Sequence, residues 1–492
     1  MRDSDISTPY LSSSATPLQN WMKTTTTIPN QLVKVDSIEQ IQAIVKDVEK
    51  YPSPIRPAGS ILSHTDIHLN DGGTTLLMSK MNKIHGITTH SYSRISSDGT
   101  LKREEVVCLE TDPCVILRDV QLYAHKHGYE LPFSAEIGMA TVGGTIFETT
   151  KDSAIGKSPI EGSGMGDVCS CAFSFTVVDD LGDLCVYTLF NDDGQFDENF
   201  QSMLDSHGTR GIVVKAALTI RKKTPVTIDF YIRDRADNDS AEIANFIHTK
   251  WKSANSMEGN VFTVVGQEPG FLWLEERVPT ANKPNQKAPL SKLIHPIVQR
   301  LKNYTFQRCR MIRTLKWLSP FSGSKWFRLK LDSRPVGFLY NKDIPDGERR
   351  LSFSYCAFPI TSFVEVVTKC LEFVNEYKVK HDFEPHALAI YFVEQSGKRC
   401  AGGYHRKEAS KDDLHTFAFD PIYHNPKDPA WHKFLDALHA WQISHGGVPS
   451  ITQTFRLEHQ DLSWGAMTVH GTPSHRFTNK FIQQFYNAKL SV

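Results

Sequence analysis

The segment Thr141-Val142-Gly143-Gly144-Thr145-Ile146 is the starting point for interpreting this chain. Two adjacent glycines follow a threonine and a valine and precede an apolar helix start, an arrangement in which backbone N–H groups can converge on an anion. The ordinary alternative is a tight loop that needs a positive φ at one or both glycines. The segment alone therefore predicts either a phosphate-binding loop or a turn.

Two further glycine loops share this character. They read Arg56-Pro57-Ala58-Gly59-Ser60-Ile61-Leu62-Ser63 and His207-Gly208-Thr209-Arg210-Gly211-Ile212-Val213. In the first, a strand ends in a glycine followed by hydroxyl residues, which allows the backbone to approach a diphosphate closely. In the second, two glycines lead into a strand. Taken singly, the first is more typical of a simple turn and the second of a loop that joins a helix to an edge strand.

Composition excludes several classes of protein. The 492-residue chain has 55 Lys and Arg against 55 Asp and Glu, so no net charge directs it to nucleic acid. No segment approaches the roughly 18 consecutive apolar residues of a membrane span, and the N-terminus lacks the pattern of a signal peptide. The 9 cysteines have no recurring metal-ligand spacing, which predicts no metal site and reduced thiols in the cytoplasm.

The order of predicted elements indicates an α+β protein with more than one domain. Ser37 and Gln40 have the spacing of a capping box before a helix, and the composition shifts near residues 222–226. Further helices are predicted at about residues 114–127, 363–378 and 428–446, and a hairpin at about 171–188. The predicted units are a Ser-, Thr- and Pro-rich arm (1–29), a first domain (30–222), a second domain (223–420) and a C-terminal segment (421–492).

The three loops, in this order and spacing, resemble the FAD domain of the vanillyl-alcohol oxidase/p-cresol methylhydroxylase family over about residues 30–222. Within that family the chain is most similar to the aldonolactone and alditol oxidase branch. The resemblance implies a two-subdomain FAD-binding domain of the p-cresol methylhydroxylase type plus an antiparallel-sheet substrate cap domain, with a C-terminal segment that returns to the flavin. It implies a small-molecule substrate and oxygen or another electron acceptor. The residues implied to bind FAD are Arg56, Pro57, Ala58, Gly59, Ser60, Ile61, Leu62, Ser63, Thr141, Val142, Gly143, Gly144, Gly208, Gly211 and Ile212.

Two departures from the family pattern bear on the chemistry. Many relatives have Gly-Ser-Gly-His-Ser in the first loop, and that histidine bonds covalently to the flavin, whereas Leu62 occupies its place here. Leucine has no nucleophile, so the resemblance implies a non-covalent FAD; His64 is the alternative attachment site, although its side chain should project differently. Near the C-terminus the sugar-oxidising branch has His-Trp-Gly-Lys, where this chain has Ser450-Ile451-Thr452-Gln453. The loss of the lysine and the His-Trp pair predicts a less polar, specialised metabolite as substrate.

The catalytic candidates come from the second half of the chain. Flavin oxidation of an alcohol or amine needs hydride delivery to the flavin and often a base for the departing proton. Glu394 lies where the cap sheet of the family supplies polar groups, but the exposed end of a strand is the other reading. Gln453 belongs to the segment that returns to the flavin. His445 ends a helix, where it is either a catalytic group or a favourable charge on the helix dipole.

Two other functions stay open on the sequence alone. One is a flavoprotein of the same fold that catalyses a non-redox cyclisation or isomerisation, and the other is a non-catalytic relative that has lost FAD. Gly162-Ser163-Gly164-Met165-Gly166 resembles a dinucleotide loop, but no buried strand precedes it and no periodic helix follows. No Gly-x-Ser-x-Gly elbow is present, which argues against hydrolysis.

Overall fold

The protein was analysed as a computed structural model. It describes residues 17–68, 70, 72–96, 98–132, 137–147, 160, 168–204, 206–234, 239–251, 256–262, 271–279, 294, 297, 325–331, 351–394, 415–454 and 473–484. The Gly162–Gly166 motif of the sequence lies outside these residues.

Several of the described helices begin at a residue whose side chain caps them, as Ser37 and Asp428 do. The principal helices are α1 (Ile38–Lys46), α2 (Leu117–Lys126), α3 (Val142–Ile146), α4 (Glu198–Leu204), α5 (Ser240–Trp251), α6 (Phe363–His381) and α7 (Pro429–Ser444). Ser37 accepts a hydrogen bond from the Gln40 N–H at 3.3 Å, and Gln40 Oε1 accepts one from the Asp36 N–H at 3.1 Å. The helix that the capping-box spacing predicted is therefore confirmed as α1.

The strands fall into two groups along the chain. The first group is β1 (Leu18–Gln19), β2 (Thr26–Thr27), β3 (Gln31–Lys34), β4 (Ile55–Ala58), β5 (Thr74–Leu77), β6 (Ile84–Ile95), β7 (Leu101–Thr111), β8 (Tyr129–Glu130), β9 (Ala172–Val178), β10 (Leu184–Thr188), β11 (Ile212–Thr219) and β12 (Arg221–Lys222). The second group is β13 (Val226–Asp234), β14 (Ser256–Phe262), β15 (Phe271–Pro279), β16 (Lys325–Leu331), β17 (Ser352–Phe353), β18 (Cys356–Pro359), β19 (Ala387–Glu394), β20 (His415–Tyr423) and β21 (Val448–Pro449).

The first group of strands builds two sheets that hold the three glycine loops. Strands β3, β5 and β4 form a parallel sheet against α1, and the first loop follows β4. Strands β10, β9, β11, β7 and β6 form an antiparallel sheet, which packs with α2, α3 and α4 into a second core. This is the two-subdomain architecture of an FAD-binding domain of the p-cresol methylhydroxylase type, so the predicted fold class is confirmed.

The second group of strands forms one large antiparallel sheet, which we call the cap sheet, in the order β16-β13-β15-β14-β19-β20-β18-β21. Alternate residues along each strand point to opposite faces. One face packs against α5, α6 and α7 through side chains such as Leu388, Ile390 and Phe392. The other face carries an apolar cluster that includes Tyr355 and also receives Leu62 from the first glycine loop. This second face of the cap sheet therefore meets the loop region.

The N-terminal segment is more ordered than its composition suggests. The sequence predicted an arm or a poorly ordered lead-in here; in its described part, residues 17–29, β1 and β2 pair as a hairpin, with Leu18 opposite Thr27. Asn20 has no exposed surface and Met22 is only 2% exposed. Buried side chains of this kind fix a segment whose Ser- and Thr-rich sequence does not itself favour order.

The C-terminal segment at residues 473–484 packs on the first domain. The Arg476 guanidinium donates to the carbonyl oxygens of Ile44 at 2.9 Å, Val45 at 3.1 Å and Tyr51 at 2.6 Å. Ile44 and Val45 lie in the last turn of α1, whose carbonyls have no partner within the helix, so a buried cation caps this helix end. Burial lowers the pKa of Arg476.

Candidate functional site

The three glycine loops line one cleft of about 190 Å³. Residues 56–63 form one wall, and Gly208 and Gly211 come from the loop that enters β11. Thr141, Gly143 and Gly144 come from the start of α3, and Phe353 and Gln453 complete the lining from the cap sheet and the segment after β21. Segments that are far apart in sequence are thus brought together at one place, next to the face of the cap sheet that receives Leu62.

Gly59 is required because the first two loops touch. A Cβ at position 59 would lie 2.5 Å from Thr141 Oγ1 and 3.0 Å from Thr141 Cγ2, closer than real Cβ contacts allow. At Gly208 the reason is conformational, because its φ of +69° is one that residues with a side chain rarely adopt. Both positions therefore need glycine, for different reasons.

Gly143 and Gly144 differ from what the sequence suggested. The turn interpretation needed a positive φ, but both glycines belong to the five-residue helix α3 and neither has one. A Cβ on Gly143 would meet Pro113 Cβ at 2.8 Å, and the Gly143 N–H already donates to Pro113 O at 2.7 Å. A Cβ on Gly144 would meet only Thr141 Oγ1, at 3.3 Å. Gly143 serves packing, whereas Gly144 leaves open space at the cleft.

The first loop presents unused backbone donors. Within the described part of the chain, none of the amide N–H groups of residues 59–63 donates a hydrogen bond to another protein group, and the same is true of the Gly144 N–H. Backbone N–H groups that face a concave site without a protein partner form an anion-binding nest. A diphosphate supplies the acceptors that such a row of donors needs, so the cleft fits the diphosphate of a dinucleotide cofactor.

Arg56 holds the loops together through its side chain. Arg56 is 8% exposed, and its guanidinium donates to the carbonyl oxygens of Ile67 at 3.3 Å, Gly208 at 3.2 Å and Phe477 at 3.1 Å. Charged hydrogen bonds of this kind are among the stronger ones in proteins. Arg56 therefore connects the first loop, the third loop and the C-terminal segment behind the cleft.

Two of the residues that the sequence placed in the cofactor site lie in the core. Val142 and Ile212 have no exposed surface and pack in separate hydrophobic clusters. Their neighbours Thr141 and Gly211 do line the cleft.

The catalytic candidates are placed unequally. Gln453 lines the cleft. His445 does not: it caps the end of α7, with Nδ1 2.9 Å from Trp441 O and its ring 4.3 Å from the Trp441 ring. Glu394 is the last residue of β19, opposite His415, and its side chain lies outside the described residues. The structure thus brings only Gln453 to the loops, and favours the dipole interpretation for His445.

The end of the cleft near the cap sheet is largely apolar. Leu62 and Phe353 line it, and both also pack against the apolar cluster on the cap sheet. Thr452 and Gln453 add the polar groups. Ile451 is 4% exposed and is not among the lining residues. Its carbonyl oxygen accepts a hydrogen bond from Thr65 Oγ1 at 2.6 Å. The apolar contribution comes from Leu62 and Phe353 instead.

His64 is held away from the cleft. It is 3% exposed, and its ring Nδ1 lies 2.6 Å from Phe353 O. Its backbone N–H donates to Thr452 O at 2.8 Å. It is not among the lining residues. These bonds join the first loop to the cap sheet and to the turn after β21, so His64 has a connecting position.

Two titratable groups in the cleft were not found from the sequence. Burial lowers the pKa of His68 to about 4, with a smaller contribution from the Arg56 charge. Burial also raises the pKa of the Cys114 thiol to about 12, assisted by Asp112. At neutral pH the cleft therefore holds a neutral imidazole and a protonated thiol. In the sequence, the turn at residues 111–114 indicates the position of Cys114 at the start of a helix. No local pattern indicates that His68 lies in the cleft.

Among the described residues, no group of three or more His, Cys, Asp or Glu side chains is arranged to hold a metal ion. No described helix is long and apolar enough to span a membrane.

Comparison with known proteins agrees with this geometry. Residues 29–186 match the model of the FAD binding domain family. A search of curated proteins found no match for the sequence. Among solved structures, cholesterol oxidase from B. sterolicum is similar with a TM-score of 0.65 and 14% identity, covering 95% of this chain and 96% of that one.

Two further solved structures show the same fold. A histidine-to-alanine mutant of the Brevibacterium sterolicum cholesterol oxidase has a TM-score of 0.62 and 13% identity, with 95% of this chain and 96% of that chain covered. A solvent-stable cholesterol oxidase has a TM-score of 0.60 and 12% identity, covering 88% of this chain and 85% of that one. The aldonolactone and alditol oxidase branch is not among these similarities. Residues 29–186 therefore form an FAD-binding domain, and FAD is the cofactor of this protein.

Proposed function

We propose that this chain is an FAD-dependent oxidoreductase that holds its flavin non-covalently and oxidises a small, weakly polar organic substrate. The observation that carries the proposal is the single cleft in which the unused N–H groups of residues 59–63 adjoin an apolar end lined by Leu62 and Phe353. Bound FAD supplies the two-electron acceptor. The protein supplies the diphosphate cradle, the apolar surroundings and the polar groups of Thr452 and Gln453.

The FAD-binding residues are proposed from the lining of the cleft. Residues 59–63 and Gly144 offer N–H donors to the diphosphate, and Gly208 and Gly211 allow the third loop to approach closely. Arg56 contributes through the carbonyls that it fixes. Val142 and Ile212 support the loops from the core without contacting the cofactor.

Three features support a dissociable flavin. Leu62, which takes the place of the covalently bonding histidine in many relatives, lines the cleft and has no nucleophilic atom. Cys114 also lines the cleft, but burial raises the pKa of its thiol to about 12, so almost none of it is the nucleophilic thiolate at neutral pH. The His64 ring is hydrogen-bonded to Phe353 O and does not line the cleft.

The substrate is proposed to be a weakly polar alcohol, phenol or amine. A sugar lactone or polyol needs many hydrogen-bond partners, and each charge-assisted bond that is missing costs on the order of 1.5–3 kcal/mol. The described lining near the cap sheet offers Thr452 and Gln453 beside Leu62 and Phe353. Because the three solved structures of the same fold are cholesterol oxidases, a sterol alcohol is the first substrate to test.

Anaerobic reduction tests this proposal directly. Purified holoprotein is mixed without oxygen with cholesterol in detergent, with a simple aromatic alcohol and aromatic amine, or with galactonolactone, and the absorbance of oxidised flavin is followed. We expect bleaching by at least one weakly polar substrate and none by the lactone. Rapid bleaching by galactonolactone would contradict the substrate class. If every weakly polar substrate is converted to an isomer or cyclised product without bleaching, a non-redox function replaces the oxidoreductase.

The electron acceptor is tested in the same preparation. Admitting oxygen to the reduced protein should restore the flavin spectrum if oxygen is the acceptor. Slow recovery that a quinone or dye accelerates would indicate another acceptor. Purified protein that is colourless and does not bind added FAD would contradict the assignment of the cofactor itself.

A further inference from the structure

The β1–β2 hairpin lies directly behind the first glycine loop. The match to the FAD binding domain family begins at residue 29, after this hairpin. The Trp21 N–H donates to Ile61 O at 2.9 Å, and Asn20 Nδ2 donates to Ser63 O at 3.2 Å. Two carbonyls of the loop that offers N–H groups to the cleft are thus bound by a segment outside the matched family domain.

Ile61 shows that the loop is held in a demanding shape. Its φ is +49°, in the left-handed region that a β-branched residue rarely adopts. Its side chain packs beside Leu18 of the hairpin, in a small cluster with Ala58 and Leu77. The hairpin therefore contacts both the backbone and the side chain of the residue whose conformation is least favourable.

The bond to Ile61 O determines where one of the N–H groups points. In a trans peptide unit the N–H lies opposite the C=O, so the bond that Ile61 O accepts from the Trp21 N–H of the hairpin turns the Leu62 N–H to the other side of the loop. Residues 59–63 line the cleft, whereas none of the described hairpin residues does. The side opposite the hairpin is therefore the cleft side.

Asn20 is the residue on which the hairpin depends. It has no exposed surface. Its Oδ1 accepts from the N–H groups of Thr24 at 2.9 Å and Thr25 at 3.2 Å, which closes the turn, while its Nδ2 reaches Ser63 O. Thr25 Oγ1 in turn lies 3.1 Å from Nε2 of His68, a residue of the cleft lining.

The hairpin also connects the loop to the cap. Trp21 and Met22 are buried in the apolar cluster on the cap sheet, together with Tyr355. The segment therefore contacts both the first glycine loop and the cap sheet.

We propose that Asn20 is a positioning residue of the FAD site, and that the β1–β2 hairpin sets the shape in which residues 59–63 present their N–H groups to the cofactor. The inference rests on the proposed role of residues 59–63 in binding FAD. It adds to the flavin site a segment that lies outside the matched domain.

The test compares FAD affinity with protein stability. In Asn20→Ser a short hydroxyl can still close the turn but does not reach Ser63 O. Thr26→Ala, on an exposed position of the same hairpin, is the matched control. Apoprotein of each variant is titrated with FAD by flavin fluorescence, and its melting temperature is recorded. We expect Asn20→Ser to raise the Kd for FAD about tenfold, with a melting temperature close to that of the Thr26→Ala control.

Other outcomes separate the alternatives. An unchanged Kd in Asn20→Ser, or a loss of affinity that only follows a large drop in melting temperature, would overturn the proposal. If Asn20→Ser does not fold, Thr25→Val provides the test, because it removes only the hydrogen bond between Thr25 Oγ1 and His68 Nε2. This variant should raise the Kd for FAD several-fold. Wild-type affinity for FAD would count against a role for the hairpin. If both Asn20→Ser and Gly144→Ala bind FAD normally, the proposed FAD site is wrong. If Gly144→Ala binds FAD weakly and Asn20→Ser binds it normally, only the role of the hairpin is refuted.

Discussion

Gly144→Ala should separate cofactor binding from folding more cleanly than any other single change in the glycine loops. Gly144 lies in α3 without a positive φ, so alanine suits its backbone and is the better helix former by about 0.5–1 kcal/mol. The added Cβ would meet only Thr141 Oγ1 at 3.3 Å, a contact that a small side-chain adjustment relieves. The apoprotein should therefore melt at the wild-type temperature or slightly above it.

The cost appears only when FAD is present. A methyl group that enters the space between chain and cofactor forces a shift that typically costs about 1–3 kcal/mol. This corresponds to a rise in the Kd for FAD of about 5- to 160-fold. The assay is fluorescence titration of apoprotein with FAD, beside a thermal melt of the same sample.

Gly143→Ala is the matched comparison. Its Cβ would meet Pro113 Cβ at 2.8 Å, so the fold itself must give way and the apoprotein should melt at a lower temperature. Gly143→Val, the more drastic change at this position, would confuse folding with binding for the same reason. If Gly144→Ala retains wild-type FAD affinity, or destabilises the apoprotein as much as Gly143→Ala does, the reasoning about this loop is refuted.

Three further predictions use the same protein. Acid precipitation should release FAD into the supernatant, because Leu62 has no nucleophile and the Cys114 thiol stays protonated. Flavin that stays in the pellet of the wild type but not in the pellet of Cys114→Ser would show a covalent bond to Cys114 and contradict the prediction. Gly59→Ala should weaken FAD binding through its 2.5 Å contact with Thr141 Oγ1, and Thr141→Ala should partly restore it; additive losses in a double-mutant cycle would rule out that contact. His68 has its pKa lowered to about 4 from 6.5, so the unfolded chain binds a proton at this side chain over a pH range where the folded protein does not. As the pH falls from about 6.5 to 4, the free energy of unfolding should therefore decrease by up to about 3 kcal/mol. Urea melts at pH 7 and 4.5 should show that His68→Gln lacks this part of the decrease. An equal pH dependence in both proteins would disprove the contribution of His68.

Local patterns in the sequence were sufficient for elements that carry their own signals. Ser37 and Gln40 marked the start of α1, and Asp428 with Pro429 marked that of α7, where Asp428 accepts from the Ala430 N–H at 2.9 Å. The hairpin of β9 and β10 followed from alternating residues around Gly182, whose φ is +77°. These signals depend on neighbours in sequence, and tertiary contacts only strengthen them.

Features that depend on distant contacts were not predictable in this way. The hairpin at residues 18–27 looked like a poorly ordered arm because its order comes from Ser63 and Ile61, more than 30 residues away. Gly143 lines the cleft, but the need for glycine beside Pro113 is visible only once both residues are placed. The same holds for Phe353 and His68 in the cleft.

The contacts of Arg476 impose an order on events during synthesis. Its Nε bonds to the carbonyl of Val45, which lies 431 residues earlier in the chain. At a rate of roughly 5–20 residues per second, a ribosome needs about 20–90 s to cover that distance. Throughout this interval α1 and both early glycine loops exist without the cation that caps the helix and without Phe477, whose carbonyl Arg56 binds. The nascent chain should therefore hold its early FAD-binding loops in their final arrangement only after Arg476 and Phe477 have been made, long after the loops themselves.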